Sequence, residues 1–105
     1  MALPSTLPAN IQFLPSASDD LARILRRNRQ ECLRVWDDVI RLGKGTLPPQ
    51  GKKKLKSIDA FQVDSGRYRI VYSRREDGYV VWAVFAKPEQ DRYLKRFRRG
   101  LGRNG

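Results

Sequence analysis

The spacing of apolar residues in this chain changes once, near its middle. Between Leu21 and Ile40, the residues Leu21, Ile24, Leu25, Cys32, Trp36, Val39 and Ile40 fall on one broad helical face. Downstream, the stretch 67–85 reads RYRIVYSRREDGYVVWAVF, two apolar runs around a charged turn that ends in Asp77-Gly78. Runs of β-branched and aromatic residues on either side of such a turn predict a β-hairpin. On its first strand Tyr68, Ile70 and Tyr72 share one face, and Arg67, Arg69, Val71 and Ser73 the other. Its second strand is apolar on both faces, Val80, Trp82 and Val84 against Val81, Ala83 and Phe85. That pattern predicts a central strand covered on both sides.

The remaining elements follow from punctuation. Residues 1–10, with Pro4 and Pro8, read as an extended arm. Ile11 to Leu14 is a short strand ended by Pro15. Ser18-Asp19-Asp20 opens a helix, capping its free amides and suiting its dipole. Asn28 interrupts the apolar face, so a bend near Arg27–Arg29 divides the pattern into helices over 18–27 and 29–42. On periodicity alone one continuous helix is the alternative. Gly43 is the expected stop, and 43–57 a loop rich in glycine, proline and lysine. Ala60 to Asp64 is a short strand, followed by a Ser65-Gly66 turn and the hairpin strands over 67–75 and 79–86. Pro88 begins a last helix whose packing stripe is Tyr93, Leu94 and Phe97. The order β-α-α-β-β-β-α predicts an α+β fold: a small twisted, mainly antiparallel sheet of about four strands, two N-terminal helices packed on it, and a short C-terminal helix.

Charge narrows the choice of partner. The chain has 105 residues, enough for one domain, with 22 Lys and Arg against 11 Asp and Glu, a net charge of +11. Such an excess points first to nucleic acid and second to an acidic protein. Two stretches concentrate it. The 43–57 segment holds Lys44, Lys52, Lys53, Lys54 and Lys56 without an acid. After Asp91 come Arg92, Lys95, Arg96, Arg98, Arg99 and Arg103, also without an acid. A solvated surface is the plainer reading of any charge run; phosphate contact is the sharper one. The chain contains no histidine and one cysteine, Cys32, which excludes an intrachain disulfide and histidine chemistry and argues against a zinc site. No apolar run is long enough to span a membrane, and the N-terminus lacks the pattern of a signal peptide, so a cytoplasmic location is expected.

The topology, together with a few short motifs, resembles the RelE/ParE superfamily of bacterial toxins. The motifs are Lys-Leu-Lys at 54–56, Gly-Arg-Tyr-Arg-Ile-Val-Tyr at 66–72, the apolar run 79–85, and a basic residue six before a tyrosine, Lys87 and Tyr93. The resemblance covers 11–97 as a toxin domain, with 98–105 a flexible basic tail. It implies the toxin of a type II toxin–antitoxin pair that cuts messenger RNA on the ribosome without metal or other cofactor, and that an acidic antitoxin neutralises. The ParE-like branch implies instead a binding toxin of DNA gyrase, and a catalytically silent RNA- or ribosome-binding relative is a third possibility.

For an RNA-cleaving member, the resemblance implies attack of the ribose 2′-hydroxyl on the adjacent phosphate, which needs a proton acceptor, a proton donor and cations around the phosphorane. It assigns phosphate binding to Arg69 and base stacking or proton transfer to Tyr93, and it puts Lys87 where an arginine is usual. Arg67, Lys52, Lys53, Lys54, Lys56 and Arg96 are candidates for further phosphate contacts. Two strand lysines of the family pattern fall near Ala60 and Gln62, neither of them basic, so no residue is assigned as the base. The plainer readings are an Arg69 paired with Asp64 or Glu89 and a Tyr93 packed in the core. Trp36, Trp82 and Cys32 read as packing residues, and Tyr79 as a cross-strand contact.

Overall fold

The computed structural model describes residues 8–46, 52–54, 60–93 and 95, with backbone alone for 52–54. In chain order the elements are β1 (Ile11–Phe13), α1 (Pro15–Arg27), α2 (Arg29–Lys44), β2 (Lys52–Lys54), β3 (Phe61–Ser65), β4 (Tyr68–Arg75) and β5 (Gly78–Ala86). A 3₁₀ turn, Lys87–Glu89, then leads into helical residues 90–93. The sheet order is β1-β5-β4-β3-β2. β1 lies parallel to β5, and the other neighbours are antiparallel. The α+β architecture expected from the sequence is therefore present, with five strands rather than about four.

The fifth strand is the main correction. Lys52–Lys54, expected within a loop, pairs with Phe61–Val63, Lys53 standing opposite Gln62. Three lysines show no strand pattern of their own; the ladder with β3 supplies it. Lysine on an edge strand also discourages pairing with another chain.

Helix boundaries moved for local reasons. Pro15 ends β1 and also opens α1, since its fixed φ and missing amide suit a first helical position. The helix thus begins before Ser18, and Asp20 lies in its second turn, buried, instead of capping it. Asn28 does divide the helices. Its extended backbone ends α1, and its side chain caps α2 by accepting from the Glu31 amide at 3.1 Å. The expected stop at Gly43 lies two residues further on, at Gly45, whose φ of 74° is the left-handed C-cap. Gly43 instead allows α2 to approach β1: a Cβ there would stand 2.8 Å from Ile11 Cγ1.

The hairpin forms with a two-residue turn, Glu76-Asp77. Its second strand does not alternate as expected. The register shifts between Val71 and Tyr72, which face Ala83 and Val81, so Trp82 is the extra residue of a β-bulge. Side-chain parity reverses there. Tyr79, Val81, Val84 and Ala86 pack toward the helices, while Ala83 and Phe85 lie on the opposite face. Beyond the end of β1, α1 takes over the free edge of β5. Ser16 Oγ donates to the Trp82 carbonyl at 2.7 Å, and the Val84 amide donates to Asp20 Oδ2 at 3.0 Å.

Two apolar layers result. Leu21, Ile24, Cys32, Val35, Val39 and Leu42 of the helices bury against Val63, Ile70, Tyr72 and Val84. On the other face Ala60, Val71, Ala83, Phe85 and Tyr93 form a smaller cluster, flanked by Trp82. No helix of the described residues is long and apolar enough to cross a membrane.

Candidate functional site

The face of the sheet opposite the helices carries the polar groups of interest. In β3 and β4, Gln62 stands opposite Val71 and Asp64 opposite Arg69; Arg69 also stands opposite Phe85 of β5. Paired residues in an antiparallel ladder point to the same side, so these polar residues border the Val71–Phe85 cluster.

Arg69 donates from Nε to Asp64 Oδ1 at 2.9 Å and from Nη1 to Gln90 Oε1. Lys87 Nζ lies 3.5 Å from the other oxygen, Asp64 Oδ2. One carboxylate thus joins two cations from different elements. The side chain of Asp64 is 47% exposed, and those of Arg69 and Lys87 are 26% and 41% exposed. Ion pairs so open to solvent contribute about 0–1 kcal/mol each, so a phosphate can displace the carboxylate at small cost.

Tyr93 is placed differently. Its ring stacks on Phe85 with centroids 4.7 Å apart, and the residue is buried. Its hydroxyl accepts from Arg23 Nη1 at 3.0 Å and lies 3.3 Å from Asp20 Oδ1, to which it donates. Arg23 Nη2 also donates to that oxygen at 2.8 Å. Burial pushes the Asp20 carboxyl up from the usual carboxylate range, outweighing the Val84 amide, Arg23 and Tyr93, which pull it down. Tyr93 therefore ties the C-terminal segment to α1 from the same sheet face that bears Arg69.

Arg67 stands at the rim. Its Nε is 3.5 Å from Glu31 Oε2, and its side chain is 67% exposed. The Tyr68 hydroxyl donates to Glu31 Oε1 at 3.3 Å. Burial first, then Glu31, pushes that phenol up.

The structure thus brings Arg69 and Lys87 together at Asp64, whereas Arg67, expected on the same face as Arg69, turns its guanidinium to Glu31 of α2 on the helical side. Lys53 stands across the ladder from Gln62, with Lys52 and Lys54 on the same edge strand. Lys56 and Arg96 lie outside the described residues, as do most of the arm and the basic tail. Ala60 is fully buried, and Gln62 Oε1 is buried with no hydrogen-bond partner among the described residues. Sequence reading gave Asp64 no role beyond a partner for Arg69, and gave Gln90 none. Their only signal is position: Asp64 falls in register with Arg69 once the strands are paired. The packing readings hold elsewhere. Trp36 meets Phe13 edge-on at 5.8 Å, Tyr79 meets Tyr72 across the hairpin at 5.7 Å, and Cys32 is fully buried. Among the described residues no group of three or more potential metal ligands comes together.

No family model and no curated protein matches the chain. Solved structures do. The YoeB–YefM complex from Staphylococcus aureus superposes with a TM-score of 0.62 at 18% identity, over 76% of this chain and 95% of that one. The toxin–antitoxin complex RelBE2 from Mycobacterium tuberculosis gives 0.61 at 19% identity, over 79% and 95%. A YafQ mutant from E. coli gives 0.63 at 12% identity, over 79% and 98%. The chain has the RelE-like toxin fold that its sequence led us to expect.

Proposed function

We propose that this protein is the toxin of a type II toxin–antitoxin pair and that it cleaves messenger RNA, without metal, at the exposed Asp64 cluster bordering the sheet face opposite the helices. The observation that carries the reading is the convergence of Arg69 and Lys87 on the single exposed carboxylate of Asp64. A backbone phosphate entering the site takes over both cations: the Arg69 guanidinium binds two of its oxygens, and the Lys87 ammonium faces a third. Asp64, released from them, accepts the 2′-hydroxyl proton as O2′ bonds to phosphorus. The P–O5′ bond breaks, and Lys87 protonates the departing O5′. The products are a 2′,3′-cyclic phosphate and a 5′-hydroxyl. Asp64 thereby supplies the base that Ala60 and Gln62 do not. Tyr93 is a positioning residue, holding the segment that bears Lys87 and Gln90 against α1. The charge of +11 suits both the ribosome and an acidic antitoxin, and several similar structures are toxin–antitoxin complexes. The protein acts in the cytoplasm.

The test is expression of the chain with RNA integrity and DNA supercoiling measured side by side. Fresh cuts in translated messages that disappear in Arg69→Ala support the proposal. Intact RNA with trapped gyrase–DNA complexes replaces it with the gyrase reading.

A further inference from the structure

A cleft opens beside the site, at the end of the β4–β5 ladder where the Lys87 amide donates to the Arg67 carbonyl at 3.1 Å. Arg27, Arg67, Tyr68, Ala86, Lys87 and Pro88 line it. Three of the six residues are cationic and none is acidic. Two acids border it and both are engaged: Glu31 is shared between the Tyr68 hydroxyl and Arg67, and Asp64 pairs with Lys87 and Arg69. Arg27, in the last turn of α1, has no ion-pair partner among the described residues. The floor is apolar, formed by Tyr68, Ala86 and Pro88.

We propose that this cleft is a second phosphate subsite, taking the phosphodiester next to the scissile one in single-stranded RNA. Two guanidiniums offer the forked donors that suit a phosphate, and the apolar floor suits the attached sugar or base. Lys87 links the two places, with its ammonium at Asp64 and its residue in the wall of the cleft. A strand held at Arg69 and Lys87 therefore continues between Arg67 and Arg27. An acidic protein segment would satisfy the same charges, but it would not explain the continuity with the Asp64 site. This subsite rests on the reading of the Asp64 cluster as the place of RNA cleavage.

The test is titration of the full chain, by NMR, with 2′-O-methyl oligonucleotides, which cannot be cleaved. A dinucleotide carries one phosphate and a tetranucleotide three. The proteins are wild type, Arg27→Ala, Arg67→Ala, and Arg75→Ala as a control of equal charge at the far end of the hairpin. Arg27→Ala and Arg67→Ala should each weaken the tetranucleotide about tenfold and lower its logarithmic salt slope by about 0.7, while the dinucleotide changes by less than about twofold. Arg75→Ala should bind both as wild type does. Tetranucleotide affinity unchanged in Arg27→Ala and Arg67→Ala, or an equal loss for both oligonucleotides, would overturn the subsite. Failure of the cleavage reading shows separately, as an Arg69→Ala chain that still binds the dinucleotide like wild type.

Discussion

Arg69 and Asp64 face each other on adjacent strands in direct register, with Arg69 Nε 2.9 Å from Asp64 Oδ1. In the resting protein the carboxylate stands where the proposed mechanism puts a phosphate. This single relationship assigns opposite fates to the two residues on substitution.

Asp64→Asn keeps the shape and removes the proton acceptor. Cleavage should fall about 10²–10⁴-fold, the usual contribution of a positioned base. RNA binding should stay equal or tighten, because an anion that competes with phosphate has gone. Single-turnover cleavage and a binding titration on the same preparation separate the two effects. Cleavage at the wild-type rate would remove Asp64 from the mechanism.

Arg69→Ala should abolish cleavage and weaken RNA binding together. Arg69→Lys restores the charge without the fork, so most of the binding should return but little of the rate. Neither change should move folding stability by more than about 1 kcal/mol, since the pair with Asp64 is open to water. Denaturant melts check that point.

Tyr93→Phe removes a hydroxyl that joins Arg23 and the buried Asp20. We expect a loss of about 1–2 kcal/mol in stability, read by urea unfolding. As a positioning residue, Tyr93 should change the cleavage rate without moving its pH profile. A pH profile displaced in Tyr93→Phe would instead make its hydroxyl a direct participant in proton transfer.

Asp20 gives a pH signature of its own. Burial raises its folded-state pKa above the ordinary 3.8, so the folded chain holds this proton more tightly than the unfolded chain. Its contribution to stability is complete below 3.8 and is lost as pH rises through the folded-state value. Stability of the wild type relative to Asp20→Asn should therefore increase on acidification across that window. Urea midpoints of both proteins from pH 7 to pH 3 measure the difference.

Much of this fold was legible because the signals were local. Asn28 marks the break between helices as both a cap and a polar gap on an apolar face. The Tyr68–Tyr72 alternation places three side chains correctly. What failed depended on partners distant in sequence. Lys52–Lys54 becomes a strand only through its ladder with β3, and no residue in VVWAVF marks Trp82 as the bulge. The site divides in the same way. Arg69 and Lys87 entered as candidates through the family resemblance, whereas Asp64 gains meaning only when register sets it opposite Arg69. Tyr93 fits a six-residue spacing from Lys87, but the depth to which Phe85 and Asp20 draw it is a property of packing.

The most direct test of the account is to map the ends of RNA made by the purified chain in a translating extract, with Arg69→Ala and Asp64→Asn beside it. The account predicts new fragments with 2′,3′-cyclic phosphate and 5′-hydroxyl ends from the wild type alone. Messages left whole by the wild-type chain, or cut equally by all three proteins, would contradict it.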